Sequence, residues 1–179
     1  MRLIASIAAA MMVLAAFSAN AFADENTVVM ETSQGNVVIQ LRPDLAPKHV
    51  EQIKTLVKDG FYDGIVFHRV IDGFMAQTGD PTGTGSGGSK LPDLPAEFTD
   101  TPFVRGVLGM ARTQDPNSAN SQFFIMFGEA SHLNGQYTVV GEVTEGMEAV
   151  DKLKKGDPAG GGMVDGPDKI IKMQMQDAG

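Results

Sequence analysis

Cysteine and tryptophan are both absent from this chain of 179 residues, and basic residues are scarce. Without cysteine there is neither a disulfide framework nor a thiolate nucleophile. In an exported chain the same absence avoids mispairing in an oxidising compartment. Lys and Arg number 14 against 22 Asp and Glu, a formal net charge of -8. That balance argues against nucleic acid, where phosphate contact needs Lys and Arg, and against an anionic membrane surface. The acidity reads as solubilising. The three histidines, His49, His68 and His132, show neither H-x-x-x-H nor H-E-x-x-H spacing, so no metal site is expected. The ten Phe and eleven Met are left to build the core and any apolar site. The length suits one packed domain rather than two.

Residues 1–23 stand apart from the rest. Arg2 gives a positive start, residues 3–17 are an apolar run, and Ala21-Phe22-Ala23 presents small residues where a signal peptidase reads. The run is shorter than the ~20 residues that span a bilayer, which weakens the reading as a retained anchor. Cleavage before Asp24 is expected, leaving a single domain over residues 24–179. A lipoprotein is excluded by the lack of cysteine. Losing Arg2 leaves 14 − 1 = 13 basic against 22 acidic residues, a mature net charge of -9.

Residues 27–32 and 36–41 read as strands flanking the turn-like Ser33-Gln34-Gly35. Pro47 then opens a helix whose apolar face is Val50, Ile53 and Leu56 or Val57, with Gly60 as its terminator. His49 falls near its start and reads as a surface residue. Residues 81–95 form a Gly- and Pro-rich loop. Gly88-Ser89-Lys90-Leu91 does not supply the G-K-[ST] of a phosphate loop, and no helical pattern follows. Strands are expected at 104–110, 121–127 and 139–143, a short helix at 146–154 and a half-buried closing strand at 171–176. Many short strands with two helices argue for a barrel or sandwich.

One stretch organises the chain: Phe67-His68-Arg69-Val70-Ile71-Asp72-Gly73-Phe74-Met75-Ala76-Gln77-Thr78-Gly79-Asp80. Side chains of an extended segment alternate between faces, and Asp72-Gly73 signals a turn. A returning hairpin would set Arg69 beside Met75 and Gln77, a greasy pocket with a guanidinium and a carboxamide at its rim. Such a site suits a small apolar ligand with a polar amide edge. His68 adjoins Arg69 and is expected on the opposite face, in a structural role rather than paired with Asp80.

This stretch resembles the signature of cyclophilin-type peptidyl-prolyl isomerases. Gly106-Val107-Leu108-Gly109-Met110-Ala111, Asn120-Ser121-Gln122-Phe123-Phe124-Ile125, His132-Leu133-Asn134-Gly135 and Val139-Val140-Gly141 resemble the family's other motifs. The resemblance implies an eight-stranded antiparallel closed β-barrel capped by two α-helices. It implies rotation about X–Pro bonds without cofactor or metal, on unfolded or partly folded polypeptides. It assigns the ring pocket to Phe74, Met75, Phe124 and Leu133, and the donor facing the proline nitrogen to Arg69. Gln77, Gln122 and the main chain of Arg112 would hold the peptide, and Ala111 would line the groove for the residue before proline. His132 stands where many eukaryotic relatives have Trp, and Tyr137 where many have a pocket-wall His. The missing indole implies weak cyclosporin binding. The exported chain is expected in the periplasm as a monomer. Two other readings fit less well: a non-catalytic module holding Pro-containing segments, and a lipocalin-like carrier.

Overall fold

A computed structural model describes residues 25–176; the proposed signal segment and the last three residues lie outside the described part. The chain opens with a hairpin of β1 (Thr27–Thr32) and β2 (Gly35–Leu41), in which Thr32 faces Gly35 across Ser33-Gln34. The helix α1 (Pro47–Lys58) follows, with Pro47 in its first turn and Gly60 at φ +67° just past Asp59 at its end. Then come β3 (Arg69–Ile71), β4 (Met75–Thr78), β5 (Val107–Met110), β6 (Phe123–Met126), β7 (Val139–Glu145), the helix α2 (Met147–Asp151) and β8 (Ile170–Met175).

The eight strands form one antiparallel sheet in the order β3-β4-β6-β5-β7-β2-β1-β8, curled into a half-barrel. The expected closed barrel is not what forms: β3 and β8 remain edges. Single bridges, Val66 with Lys169 and Arg69 with Met163, stand where a continuous ladder would be needed. The segment facing β3 carries Gly161 and Gly162 at positive φ, which break the extended repeat a ladder requires. It still bonds to β3 by its backbone: Val70 N–H donates to the Gly162 carbonyl and Gly156 N–H to that of Val70, both at 2.8 Å.

Several elements are shorter than their sequence patterns. β5 starts at Val107 because Gly106, at φ +87°, turns the chain after an exposed Val104. α2 spans only Met147–Asp151, although Leu153 beyond it is still buried. β6 is four residues long, whereas β7 runs on to Glu145.

Successive side chains of β4, β5 and β6 point to opposite faces, and both faces are buried. Ala76, Leu108, Met110, Phe123 and Ile125 enter the main core with Val50, Ile53 and Leu56 of α1. Met75, Val107, Phe124 and Met126 enter a second cluster with Phe103, Leu133 and Val139. This explains the unbroken apolar run of β6. It also means that the second face is free to carry a site while the first holds the sheet.

His49 corrects the surface reading. It is fully buried, and its Nδ1–H donates to Glu97 Oε2 at 2.5 Å. The same carboxylate accepts the N–H groups of Lys48 (3.2 Å) and His49 (3.1 Å), capping the start of α1. His49 in fact stands four residues before Ile53 and seven before Leu56, on the apolar stripe itself.

Candidate functional site

The second face of the sheet opens into a cavity of about 630 Å³. Register brings its walls together: Arg69 pairs with Gln77, Gln77 with Phe124, and Phe124 with Gly109 across four neighbouring strands. A Cβ on Gly109 would lie 2.4 Å from the Phe124 ring and 2.6 Å from that of Phe103, so glycine is what lets these rings stack on β5. Phe74 enters from the β3–β4 turn, and Leu133 from the short 3-10 turn Ser131–Leu133.

Of the residues picked out from the sequence, Arg69, Phe74, Met75, Gln77, Ala111, Arg112, Phe124, Leu133 and Tyr137 all line this cavity. Gln122 lines the adjoining cleft instead. It is nonetheless tied to the others, because Gln77 Nε2 donates to Gln122 Oε1 at 2.9 Å. Met75, Phe124 and Leu133 are both core and pocket wall, since the second cluster is the cavity's floor.

Arg69 heads a chain of oriented amides. Its Nε donates to the Gly161 carbonyl at 2.9 Å and its Nη1 to Gln77 Oε1 at 3.3 Å. Gln122 Nε2 in turn donates to the carbonyls of Gly85 (3.0 Å) and Gly87 (2.8 Å). A guanidinium has no acceptor, so it fixes which way both glutamine amides point. Two of its five N–H groups are thereby engaged, and the others have no partner among the described residues. At the far wall Arg112 lies over the Tyr137 ring, Cζ to centroid 4.4 Å. Among the described residues, nothing in the protein bonds to the Arg112 main-chain N–H or C=O.

The loop after Asp80 joins the site. Gly85 lines the cavity, and residues 85–89 line the adjoining cleft. Burial alone would raise the Asp80 carboxyl. The N–H groups of Gly87, Thr82 and Gly85, with the Thr82 hydroxyl, outweigh it and hold the group down at about 2. No hydrogen bond joins Asp80 to His68. The His68 ring is not turned away from the site, as strand parity suggests: it lies buried beside Gly85 and reaches the cavity. Parity fails because β3 begins only at Arg69. Neither ring nitrogen meets a partner among the described residues. Burial, with help from Arg69 and against Asp80, holds the imidazole below its usual range.

His132, read from the sequence only as the residue standing in place of a Trp, lines the cavity with its ring tilted against Phe74 at 5.8 Å. Met163 lines it too, with no sign of that in the sequence. The Gly161 and Gln136 carbonyls orient the two arginines. A backbone carbonyl leaves no mark on residue type, so the sequence shows there only a Gly-rich loop over residues 156–168.

The arrangement couples a cavity with an apolar floor to a fixed cation, without a carboxylate or lysine among the lining residues and with the Tyr137 phenol as their one hydroxyl. It can grip an apolar ring and hydrogen-bond beside it. Residues 27–175 match the family model described as cyclophilin type peptidyl-prolyl cis-trans isomerase/CLD. A Brucella suis protein named probable peptidyl-prolyl cis-trans isomerase is 59% identical over 170 residues, covering 89% of this chain and 87% of that protein. The human peptidyl-prolyl cis-trans isomerase-like 3 is 42% identical over 134 residues, covering 72% and 82%. A Hirschia baltica cyclophilin crystal structure superposes with TM-score 0.75 at 31% identity, covering 84% of this chain and 74% of the other. A Cryptosporidium parvum cyclophilin crystallised in the presence of the dipeptide Ala-Pro gives TM-score 0.77 at 29% identity, covering 84% and 99%. The chain belongs to the cyclophilin-type peptidyl-prolyl cis-trans isomerases.

Proposed function

We propose that this isomerase works outside the cytoplasm, in the periplasm, as a monomer that speeds proline-limited folding of exported polypeptides. The export reading rests on residues 1–23, with their basic start, apolar run and Ala21-Phe22-Ala23 site. The physical need is general: uncatalysed X–Pro isomerisation takes tens to hundreds of seconds and can limit folding.

The barrier, roughly 18–20 kcal/mol, is the loss of C–N double-bond character on twisting. No covalent bond is made or broken, so the enzyme must only bind the twisted amide better than either planar form. Phe74, Met75, Phe124 and Leu133 would hold the proline ring while the preceding carbonyl turns. The Arg112 main chain and the Gln77–Gln122 pair would hold the backbone. Twisting leaves a lone pair on the proline nitrogen, and an unengaged N–H of Arg69 would donate to it. The observation that carries this reading is the Arg69 fork, clamped by Gly161 and Gln77 at the rim of an apolar cavity.

The folding role is tested on a denatured exported protein whose refolding has a slow proline-limited phase. The mature enzyme, at a small fraction of the substrate concentration, should accelerate that phase. An unchanged slow phase would refute the folding role. Sequencing the N-terminus of protein recovered from the periplasm should read Asp24-Glu25-Asn26.

A further inference from the structure

Arg112 holds its guanidinium in a fixed place that the reading above leaves unused. Its Nε and Nη2 donate to the Gln136 carbonyl at 3.2 and 2.8 Å, and its Nη1 donates to the Thr113 carbonyl at 2.9 Å. The flat face rests on Tyr137, whose ring meets Phe124 edge-on at 5.8 Å. Phe124 in turn stacks on the fully buried Phe103. A surface arginine would normally sample many rotamers. This one is stacked on an aromatic column rooted in the core, and two of its five N–H groups remain unengaged among the described residues.

The charged side chains that line the cavity are of one sign. Arg69 and Arg112 both line the cavity, and no Asp or Glu does. The single carboxylate lining the adjoining cleft is Asp93, which accepts from Asn120 Nδ2 at 2.9 Å. The net charge of -8 belongs to the molecule as a whole, and at physiological salt it is screened beyond about 8 Å. A peptide in the cavity therefore meets two cations on its wall, while Asp80, which acts on His68 from behind the glycine-rich loop, is held by the N–H groups of that loop.

We propose that the Arg112 side chain selects the substrate, favouring an acidic residue immediately before proline over a basic one. The inference rests on the isomerase reading, in which the Arg112 main chain and Ala111 flank the segment that precedes proline. A carboxylate there comes within reach of the unengaged N–H groups. An ammonium there meets a cation that stacking and two carbonyls prevent from swinging away. Exposed pairs are individually weak, about two- to five-fold each. Attraction for one sign and repulsion of the other compound in the ratio.

The test uses Ala-Xaa-Pro-Phe peptides with Xaa as Glu, Ala or Lys, with isomerisation followed by NMR exchange so that no coupling protease is needed. The mature protein should turn over the Glu peptide about five-fold faster, in kcat/KM, than the Lys peptide at low salt. The ratio should fall toward one at about 1 M salt. It should also fall toward one in Arg112→Met, which keeps the packing on Tyr137, and be partly kept in Arg112→Lys. A ratio near one in the unsubstituted protein, with the Ala peptide turned over normally, would overturn the inference and leave the isomerase reading standing. A ratio unchanged by salt and by Arg112→Met would overturn it too. Failure to turn over any of the peptides would remove both.

Discussion

Asp80 shows how one carboxylate shapes the edge of the site. It accepts N–H groups from Thr82, Thr84, Gly85 and Gly87 and so folds the glycine-rich loop back toward Gln122. Its carboxyl lies at about 2 in the fold against an ordinary 3.8. A depressed value contributes stability that is complete above 3.8 and lost as pH falls through about 2. Asp80→Asn should therefore cost about 2 kcal/mol in urea denaturation at pH 7. It should also flatten the stability profile between about pH 4 and pH 2. An unchanged urea midpoint would contradict this role. The residue type was legible, since Asp at the head of a Gly-Thr-Gly-Ser-Gly-Gly run is a natural loop anchor. Its number of donors was not, because all but the Thr82 hydroxyl are backbone groups.

At the scale of elements, alternation did most of the work. Arg69, Met75, Gln77 and Phe124 share one face because strand parity puts them there, and the structure pairs Arg69 with Gln77 directly. What parity could not show was the sheet's open seam, since glycines at 161 and 162 turn a would-be ladder into isolated bridges. His68, one residue outside the strand, does not obey its parity, and His49 follows helical spacing onto the buried stripe of α1. The Glu97 cap goes with that burial. Burial pushes the Glu97 carboxyl up, but the His49 ring and the N–H groups of His49 and Lys48 bring it below its usual value. Glu97→Ala would uncap α1 and strand the buried imidazole, whose Nε2 already lacks a partner among the described residues. A loss of about 2–4 kcal/mol is expected in denaturant titrations. A loss under about 0.5 kcal/mol would show that the cap is dispensable. Gly109→Ala belongs to the same scale. The added methyl would push the Phe124 ring from its place, raising KM for Ala-Pro-Phe peptides several-fold with a smaller change in kcat. An unchanged KM would mean that the ring can shift without harm to the pocket.

For the whole molecule, the sheet's two buried faces divide the labour. The main core under α1 fixes the strands, and the second cluster is at once core and cavity floor. The family motifs were legible because they are the strands and turns that build this floor. The cyclosporin expectation belongs here, since it depends on the cavity's outer wall. His132, tilted against Phe74, presents a smaller surface than an indole. Titrating the drug against isomerisation should give inhibition well weaker than nanomolar, and nanomolar inhibition would refute the expectation. The most direct measurement is the isomerisation rate of an Ala-Pro-Phe peptide with the mature protein and with its Arg69→Ala variant. A charge-assisted bond made only in the twisted state is worth about 2–3 kcal/mol, about a hundred-fold in rate. The account predicts that kcat/KM falls by about that factor, with the Tm nearly unchanged and peptide binding retained. Equal rates in the two proteins would contradict it.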